Sequence, residues 1–134
     1  ISGRAVHQAV ELAAALGARV RFLHVQNNYP ISLVGVGELV EASTIEALVE
    51  AAGKRAEEIL QQALAAASAA GVPAERTVLM NPLPHTAILE EASAAGCDLI
   101  VMGSHGRRGL EGLLLGSETQ RVLLGSSTPV LVVR

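Results

Sequence analysis

The sequence predicts an α/β domain with helices on both faces of an open, doubly wound parallel sheet. Segments with helical spacing of apolar residues alternate along the chain with short, strongly apolar segments. Two of the short segments, 99–102 and 130–133, are apolar without interruption, which is typical of strands buried on both faces. Half of the residues are hydrophobic, yet the chain has one Phe, one Tyr and no Trp. The core must therefore be built from Ala, Val, Leu and Ile.

Two helices follow from the apolar spacing and from signals at their ends. Apolar residues recur at helical intervals over 3–16, and Gly17 follows as a stop signal. Ser43 and Glu46 form a Ser-x-x-Glu capping box, which predicts the start of a second helix. The amphipathic spacing after this box predicts a long helix that ends near Gly71.

The rest of the chain alternates between strands and shorter helices. Four segments predict strands: 19–25, 74–80, 97–103 and 129–133. Pro84 is expected to open a helix that reaches Ala95, and Ser117 to cap a short helix over 118–124. The segment 26–42 has no clear period and predicts a loop. Because each crossover helix returns the chain to the same end of the sheet, the strands are expected to be parallel, as in Rossmann-like folds.

The whole chain, 1–134, fits one domain with a core of its own. It opens inside a helix, whereas sheets of this kind usually begin with a strand. We therefore expect that a strand precedes Ile1 in the native protein and is absent from this chain. The alternative is a fold that starts with a helix.

Composition excludes several classes of function. The formal net charge of −3 does not suit a protein that binds nucleic acid through a basic surface. The single cysteine, Cys97, permits no intrachain disulfide and no cysteine cluster for zinc, which fits a reducing compartment. The longest apolar runs fall short of a membrane span, and no signal-peptide pattern opens the chain. We expect a cytoplasmic protein without a membrane segment.

The glycine-rich segment 101–120 is the strongest candidate for a binding site. The preceding strand ends at Gly103, where ligands bind in open parallel sheets. Gly103 and Gly106 remove side chains where the chain turns, and Gly116 lies at the start of the next helix. Unpaired amides and the dipole at a helix start hold phosphate. The alternative is a flexible connection between a strand and a helix.

Familiar nucleotide motifs do not account for this segment. A Walker A loop needs Gly-Lys followed by Ser or Thr, but the only lysine, Lys54, precedes Arg55. A dinucleotide fingerprint needs G-x-G-x-x-G after an early strand, whereas 103–109 reads G-x-x-G-x-x-G after a late one. The strand 74–80 ends at Asn81, so the Asp of a phosphoacceptor domain is missing there.

The spacing of the glycines carries a resemblance to a known family. Gly103-x-x-Gly106, nine further residues and then Gly116-Ser117 match the G-x2-G-x9-G-[S/T] pattern of universal stress proteins. The stretches DLIVMGSHGRRGLEGLLLGS, TPVLVV and LHV are similar to the family's corresponding segments. The resemblance covers the chain except for 26–42, and it implies a five-stranded domain, ATP binding in the subset with this motif, and dimers formed through the last strand.

Carried over by position, the resemblance assigns the site residues. It implies that Val25 borders the adenine and that Met102 and Gly103 line the site. His105 and Gly106 follow on the glycine loop. The residues expected to hold phosphate and ribose are Gly116, Ser117, Glu118 and Thr119. Glu118 departs from what phosphate binding favours, because an acidic side chain at a helix start competes for the same dipole. Its amide could still bind while its side chain turns to solvent.

Other polar residues admit ordinary structural roles. Arg107 and Arg108 are as well explained by a solvated loop as by phosphate contact. No histidine has other metal-ligating residues at a suitable spacing, so we expect no metal site built from protein side chains alone. Mg²⁺ would arrive with the phosphates of ATP, ligated by oxygen and water. The apolar strand 129–133 is expected to pair with a second copy, since an exposed edge invites pairing.

Three functions compete at this point. The first is a stress-response regulator that binds ATP or another adenine nucleotide and acts as a homodimer. The second is a dimeric protein-interaction module that binds no nucleotide, whose partner the sequence does not name. The third is an enzyme that uses an adenine nucleotide as substrate. Glu111 is the only acidic residue between Gly103 and Gly116, so no positioned general base is evident and at most slow ATP hydrolysis is expected.

Overall fold

Helices and strands alternate through the part of the chain that the computed structural model describes, which is residues 2–26, 42–105 and 115–134. The eight elements are α1 Ser2–Leu16, β1 Val20–Gln26, α2 Ala42–Ala69, β2 Ala74–Met80, α3 Pro84–Ala94, β3 Ile100–Gly103, α4 Ser117–Gly125 and β4 Val130–Val133. The predicted loop 26–42 lies almost wholly outside the described residues, as does the strand expected before Ile1. None of the described helices is both long and apolar enough to cross a membrane.

The strands pair in parallel, as the alternation with helices predicts. β1 pairs with β2 from Val20 opposite Ala74 to Gln26 opposite Met80. β3 pairs with β4 from Ile100 opposite Val130 to Gly103 opposite Val133. Within the described ranges the ladder forms these two pairs, and no hydrogen-bonded ladder joins one pair to the other. The α/β class and the parallel strands are confirmed.

Helices lie on two faces of the strands. Phe22 of β1 is buried in a cluster with residues of α1 and α2, which also contact each other. Its neighbour Arg21 points to the opposite face, because successive strand residues alternate, and donates from Nη1 to Oε1 of Glu91 on α3 at 2.6 Å. A second core cluster joins Ala92 of α3, Ile100 of β3 and Val122 of α4. α1 and α2 thus cover one face, and α3 and α4 the other.

Most element ends agree with the sequence signals. Gly17 and Gly71 follow α1 and α2 with φ of 66° and 69°, the left-handed region that closes helices and favours glycine. Pro84 is the first residue of α3, where its missing N–H costs nothing. α2 begins at Ala42, so the predicted cap Ser43 lies inside the helix rather than before it.

The third strand is shorter than predicted. It begins at Ile100 instead of residue 97. The N–H of Cys97 donates to the carbonyl of Ala92 at 2.9 Å, so this residue still belongs to the exit of α3. The apolar run in the sequence includes Cys97 because its side chain packs against the cluster around Ile100.

Candidate functional site

Ser104 joins the end of β3 to two other elements. Its N–H donates to the carbonyl of Val133 at the end of β4, at 2.8 Å. Its carbonyl accepts from the N–H of Gly116, just before α4, at 2.7 Å. Ser104 is 2% exposed, so these bonds are shielded from water. The start of α4 is therefore fixed against the carboxyl end of β3, where ligands bind in sheets of this kind.

Gly116, not Ser117, is the N-cap of α4. Gly116 has φ of −59° and ψ of 152°, and no side chain caps the helix among the residues described. Its carbonyl accepts the first helical hydrogen bond, from the N–H of Gln120 at 3.0 Å. The prediction that Ser117 caps the helix is wrong because Ser117 is already its first residue. The amides of residues 117–119 have no acceptor within the helix, which is the arrangement that binds anions.

The side chain of Thr119 holds α4 against β3. Thr119 is 2% exposed, and its hydroxyl donates to the carbonyl of Gly103 at 3.0 Å. The same hydroxyl lies 3.5 Å from the carbonyl of Ser104. The hydroxyl is thus occupied by the main chain of the strand end. A contact between Thr119 and a ligand would have to come from its backbone N–H.

Glu118 turns toward α3 rather than toward solvent. Its Oε2 accepts from the backbone N–H of His85 at 2.8 Å and lies 3.0 Å from Nδ1 of the same residue. Its Oε1 accepts from Nη1 of Arg121 at 3.0 Å. Glu118 therefore caps the start of α3 from the first turn of α4. Its charge is held by these partners and does not point freely at the amides of its own helix.

The acidity of Glu118 reflects those contacts. Partial burial raises the pKa of the Glu118 carboxyl. The hydrogen bonds from the His85 backbone and ring and the charges of His85 and Arg121 lower it more, so the net pKa lies below the ordinary value. Nothing in the local pattern could have found this pair, because 33 positions separate the two residues.

His105 follows Ser104 and carries an unsatisfied nitrogen. Its Nδ1 lies 2.9 Å from Oγ of Ser104. Its Nε2 is buried and has no hydrogen-bond partner in the part of the chain that the structure describes. Buried polar atoms in folded proteins are nearly always bonded, so a lone one needs an explanation. Ser104, which bonds to Val133, Gly116 and His105, was not among the residues that the sequence predicted.

The structure brings part of the predicted site together. Gly103, His105 and 116–119 surround the Ser104 junction. Met102 lies on β3 and packs toward α3 and α4. Val25 lies near the end of β1, in the other strand pair, and faces the same side as Arg21. Gly106 lies outside the described residues, as do Arg107 and Arg108.

A groove of about 880 Å³ lies elsewhere, between α1 and α2. It is lined by helix residues such as Val6, Ala14, Ile59 and Ala66. It contains none of the residues predicted to bind a ligand. Its walls are mainly the apolar faces through which the two helices approach each other. Polar groups converge instead at the Ser104 junction, and such convergence is typical of a ligand site, so we favour the junction as the site.

Comparisons with known proteins agree with the fold and identify the family. The model of the universal stress protein family matches residues 1–134. Universal stress protein YxiE of Bacillus subtilis (strain 168) is 36% identical over 137 residues, which cover 100% of this chain and 91% of the relative.

Two solved structures extend this likeness. A universal stress protein in complex with cAMP is 27% identical with a TM-score of 0.66, covering 98% of this chain and 85% of that one. The universal stress protein from Archaeoglobus fulgidus in complex with dAMP has the same fold, at 22% identity and a TM-score of 0.66, covering 99% of this chain and 87% of that one. The chain belongs to the universal stress protein family.

Proposed function

We propose that this protein binds an adenine nucleotide, ATP or a relative of it, and acts as a homodimeric regulator in the stress response. The observation that carries the proposal is the 2.7 Å hydrogen bond from the N–H of Gly116 to the carbonyl of Ser104. This bond holds the first turn of α4 at the carboxyl end of β3, so amides without helical acceptors converge where a phosphate would lie.

The chemistry of the nearby groups suits such a ligand. The buried Nε2 of His105 lacks a partner among the described residues, and a phosphate oxygen would supply one. Met102 and Val25 offer apolar side chains at strand ends, as an adenine ring requires. The solved relatives in complex with cAMP and dAMP support an adenine nucleotide.

Any Mg²⁺ would accompany the phosphates of ATP. Among the described residues no group of three or more His, Cys, Asp or Glu could hold a metal ion. Phosphate oxygens and water are the ligands that Mg²⁺ prefers. The metal would neutralise phosphate charge while residues 117–119 hold the phosphate through their amides.

A regulator fits the site better than an enzyme. Glu118 is the carboxylate of the first turn of α4, and both of its oxygens are bonded to His85 and Arg121. A carboxylate held in this way is not free to orient an attacking water, as phosphoryl transfer requires. We therefore propose slow or no turnover of bound ATP. The single cysteine suits the reducing cytoplasm as the site of action.

The homodimer proposal rests on the edge of β4. This strand pairs with β3 on one side, and no second pairing partner occurs among the described residues. Leu131 on the same strand is 38% exposed. Pairing with a second copy would satisfy the open edge and cover this side chain.

Equilibrium dialysis with labelled ATP, ADP, AMP and cAMP tests the nucleotide proposal. Gly116→Val should weaken binding by about tenfold or more, because a bulky N-cap disturbs the amides that hold the phosphate. Gly53→Ala is the matched control, since a Cβ at that position in α2 meets nothing within 4 Å. Equal binding by both variants and the wild type would place the ligand elsewhere. Absence of binding to the wild type would leave the interaction module as the function.

A further inference from the structure

An acidic side chain lies in the turn of α4 whose amides are proposed to hold phosphate. Glu118 is the second residue of that helix, after the N-cap Gly116 and the first residue Ser117. A carboxylate in this turn lowers the affinity for a second anion, because it repels that anion and competes for the same amides and dipole. Phosphate binding at the start of α4 therefore requires that the charge of Glu118 be turned away and compensated.

The first turn of α3 supplies two groups that hold one oxygen of this carboxylate. The backbone N–H of His85 donates to Oε2 of Glu118 at 2.8 Å, and Nδ1 of the His85 ring lies 3.0 Å from the same oxygen. Nη1 of Arg121 donates to the other oxygen at 3.0 Å. The side chains of His85 and Glu118 are 22% and 32% exposed, so water competes only in part for their contact. The carboxylate is thus held against α3.

The ionised carboxylate determines which nitrogen of the His85 ring carries a proton. A carboxylate oxygen only accepts hydrogen bonds, so Nδ1 has to be the donor of this contact. In the neutral ring the proton is therefore on Nδ1 and Nε2 is bare. The hydrogen bond to Glu118 exists in both the neutral and the charged ring, so its presence does not depend on a positive charge on His85.

We propose that His85 is a positioning residue of the nucleotide site, which holds the Glu118 carboxylate against the start of α3 and so leaves the amides of residues 117–119 available to a phosphate. The inference rests on the proposed nucleotide function and adds a role for α3, which contributes no predicted contact to the ligand. A purely structural pair would join α3 to α4 without affecting the phosphate. The two roles therefore differ in what loss of the His85 ring does to binding.

Nitrogen NMR of isotope-labelled histidine tests the contact without any ligand. At alkaline pH, where imidazoles are neutral, wild-type His85 should show a protonated Nδ1 and a bare Nε2. Glu118→Ala should shift His85 toward a mixture of both tautomers. His7 is the internal reference, because it contacts Glu11 through Nε2 rather than through Nδ1. A wild-type His85 with a bare Nδ1 would overturn the proposal.

Binding of AMP and of adenosine then separates positioning from a structural role. His85→Ala should lower AMP affinity about threefold or more and leave adenosine affinity unchanged, because the released carboxylate opposes only the phosphate. His85→Asn, which keeps a side-chain N–H donor near the place of Nδ1, should recover most of the AMP affinity. Glu118→Gln added to His85→Ala should also restore it, since the amide carries no charge. His7→Ala, which removes the histidine of another His–Glu pair, is the matched control.

The outcomes distinguish this inference from the proposed function. If the wild type binds AMP and His85→Ala binds it equally well, the inference fails while the nucleotide function stands. If adenosine affinity falls as much as AMP affinity, or if Glu118→Gln restores nothing, the loss does not arise from the charge of Glu118 and the inference is wrong. If the wild type binds no adenine nucleotide, the proposed function fails, and the positioning role fails with it.

Discussion

Glu118 shows how a single residue can be misjudged when only its position on a helix is known. An acidic side chain in the first turn of α4 is expected to compete with phosphate for the helix dipole. Its carboxylate instead caps the start of α3 through the N–H of His85 and pairs with Arg121. The same contacts lower the pKa of the Glu118 carboxyl, despite the opposing effect of burial. The side chain thus joins two helix starts next to the proposed site.

The depressed pKa of Glu118 predicts a pH-dependent contribution to stability. A carboxyl whose folded-state pKa is lowered stabilises the fold above its unfolded pKa, about 4.3 for glutamate, and loses that effect as pH falls through the folded pKa. Wild type should therefore unfold at higher urea than Glu118→Gln near neutral pH, and the gap should close in acid. Glu50→Gln, on an exposed part of α2, shows the background effect of losing a carboxylate. A gap that widens in acid would refute this account.

At the scale of elements, the register of β4 separates its two edges. The carbonyls of Pro129 and Val133 accept from the N–H groups of Ile100, the first residue of β3, and of Ser104, just after its end. Backbone hydrogen bonding alternates along a parallel strand. The N–H and C=O of Leu131 therefore also point toward β3, and those of Val130 and Val132 point toward the open edge. A second copy that pairs with β4 would use these outward groups.

Val132→Pro tests the dimer without removing a bond within the subunit. Proline at 132 lacks the outward N–H, whereas an edge strand tolerates proline where that N–H faces solvent. We expect analytical ultracentrifugation to show a monomer and the circular dichroism spectrum to stay unchanged. Val132→Thr, which keeps the N–H, should remain dimeric. A Val132→Pro protein that stays dimeric would mean that a surface other than the edge of β4 forms the interface.

The elements were predictable from the sequence to different degrees. The apolar patterns and the signals at element ends together identify every described helix and strand, because burial of one face or of both faces imposes those patterns. Ends depend on individual hydrogen bonds, which explains why Cys97 stays with the exit of α3 and why Gly116 replaces Ser117 as the N-cap. The His85–Glu118 contact was not predictable, since it depends on how α3 packs against α4.

In the molecule as a whole, the groups proposed to hold the phosphate belong to one half of the fold, whereas Val25, proposed to contact the adenine, lies on β1 in the other strand pair. Ser104 joins β3, β4 and α4 through its backbone hydrogen bonds. The core cluster of Ala92, Ile100 and Val122 packs between these elements and α3. Family membership and the glycine spacing identified this region, but the junction residue itself emerged only from the packed structure. The groove of about 880 Å³ between α1 and α2 lies apart from these residues. The two regions therefore offer distinct locations for a ligand.

Backbone-amide NMR during titration with AMP and with Mg–ATP would locate the bound nucleotide. The largest shifts are expected at the amides of Gly103, Ser104 and 116–119, because these groups are proposed to surround the phosphate. Residues of the α1–α2 groove, such as Val6 and Ile59, should change little. Shifts concentrated in that groove, or no shifts with any adenine nucleotide at concentrations that saturate ordinary sites, would contradict the account.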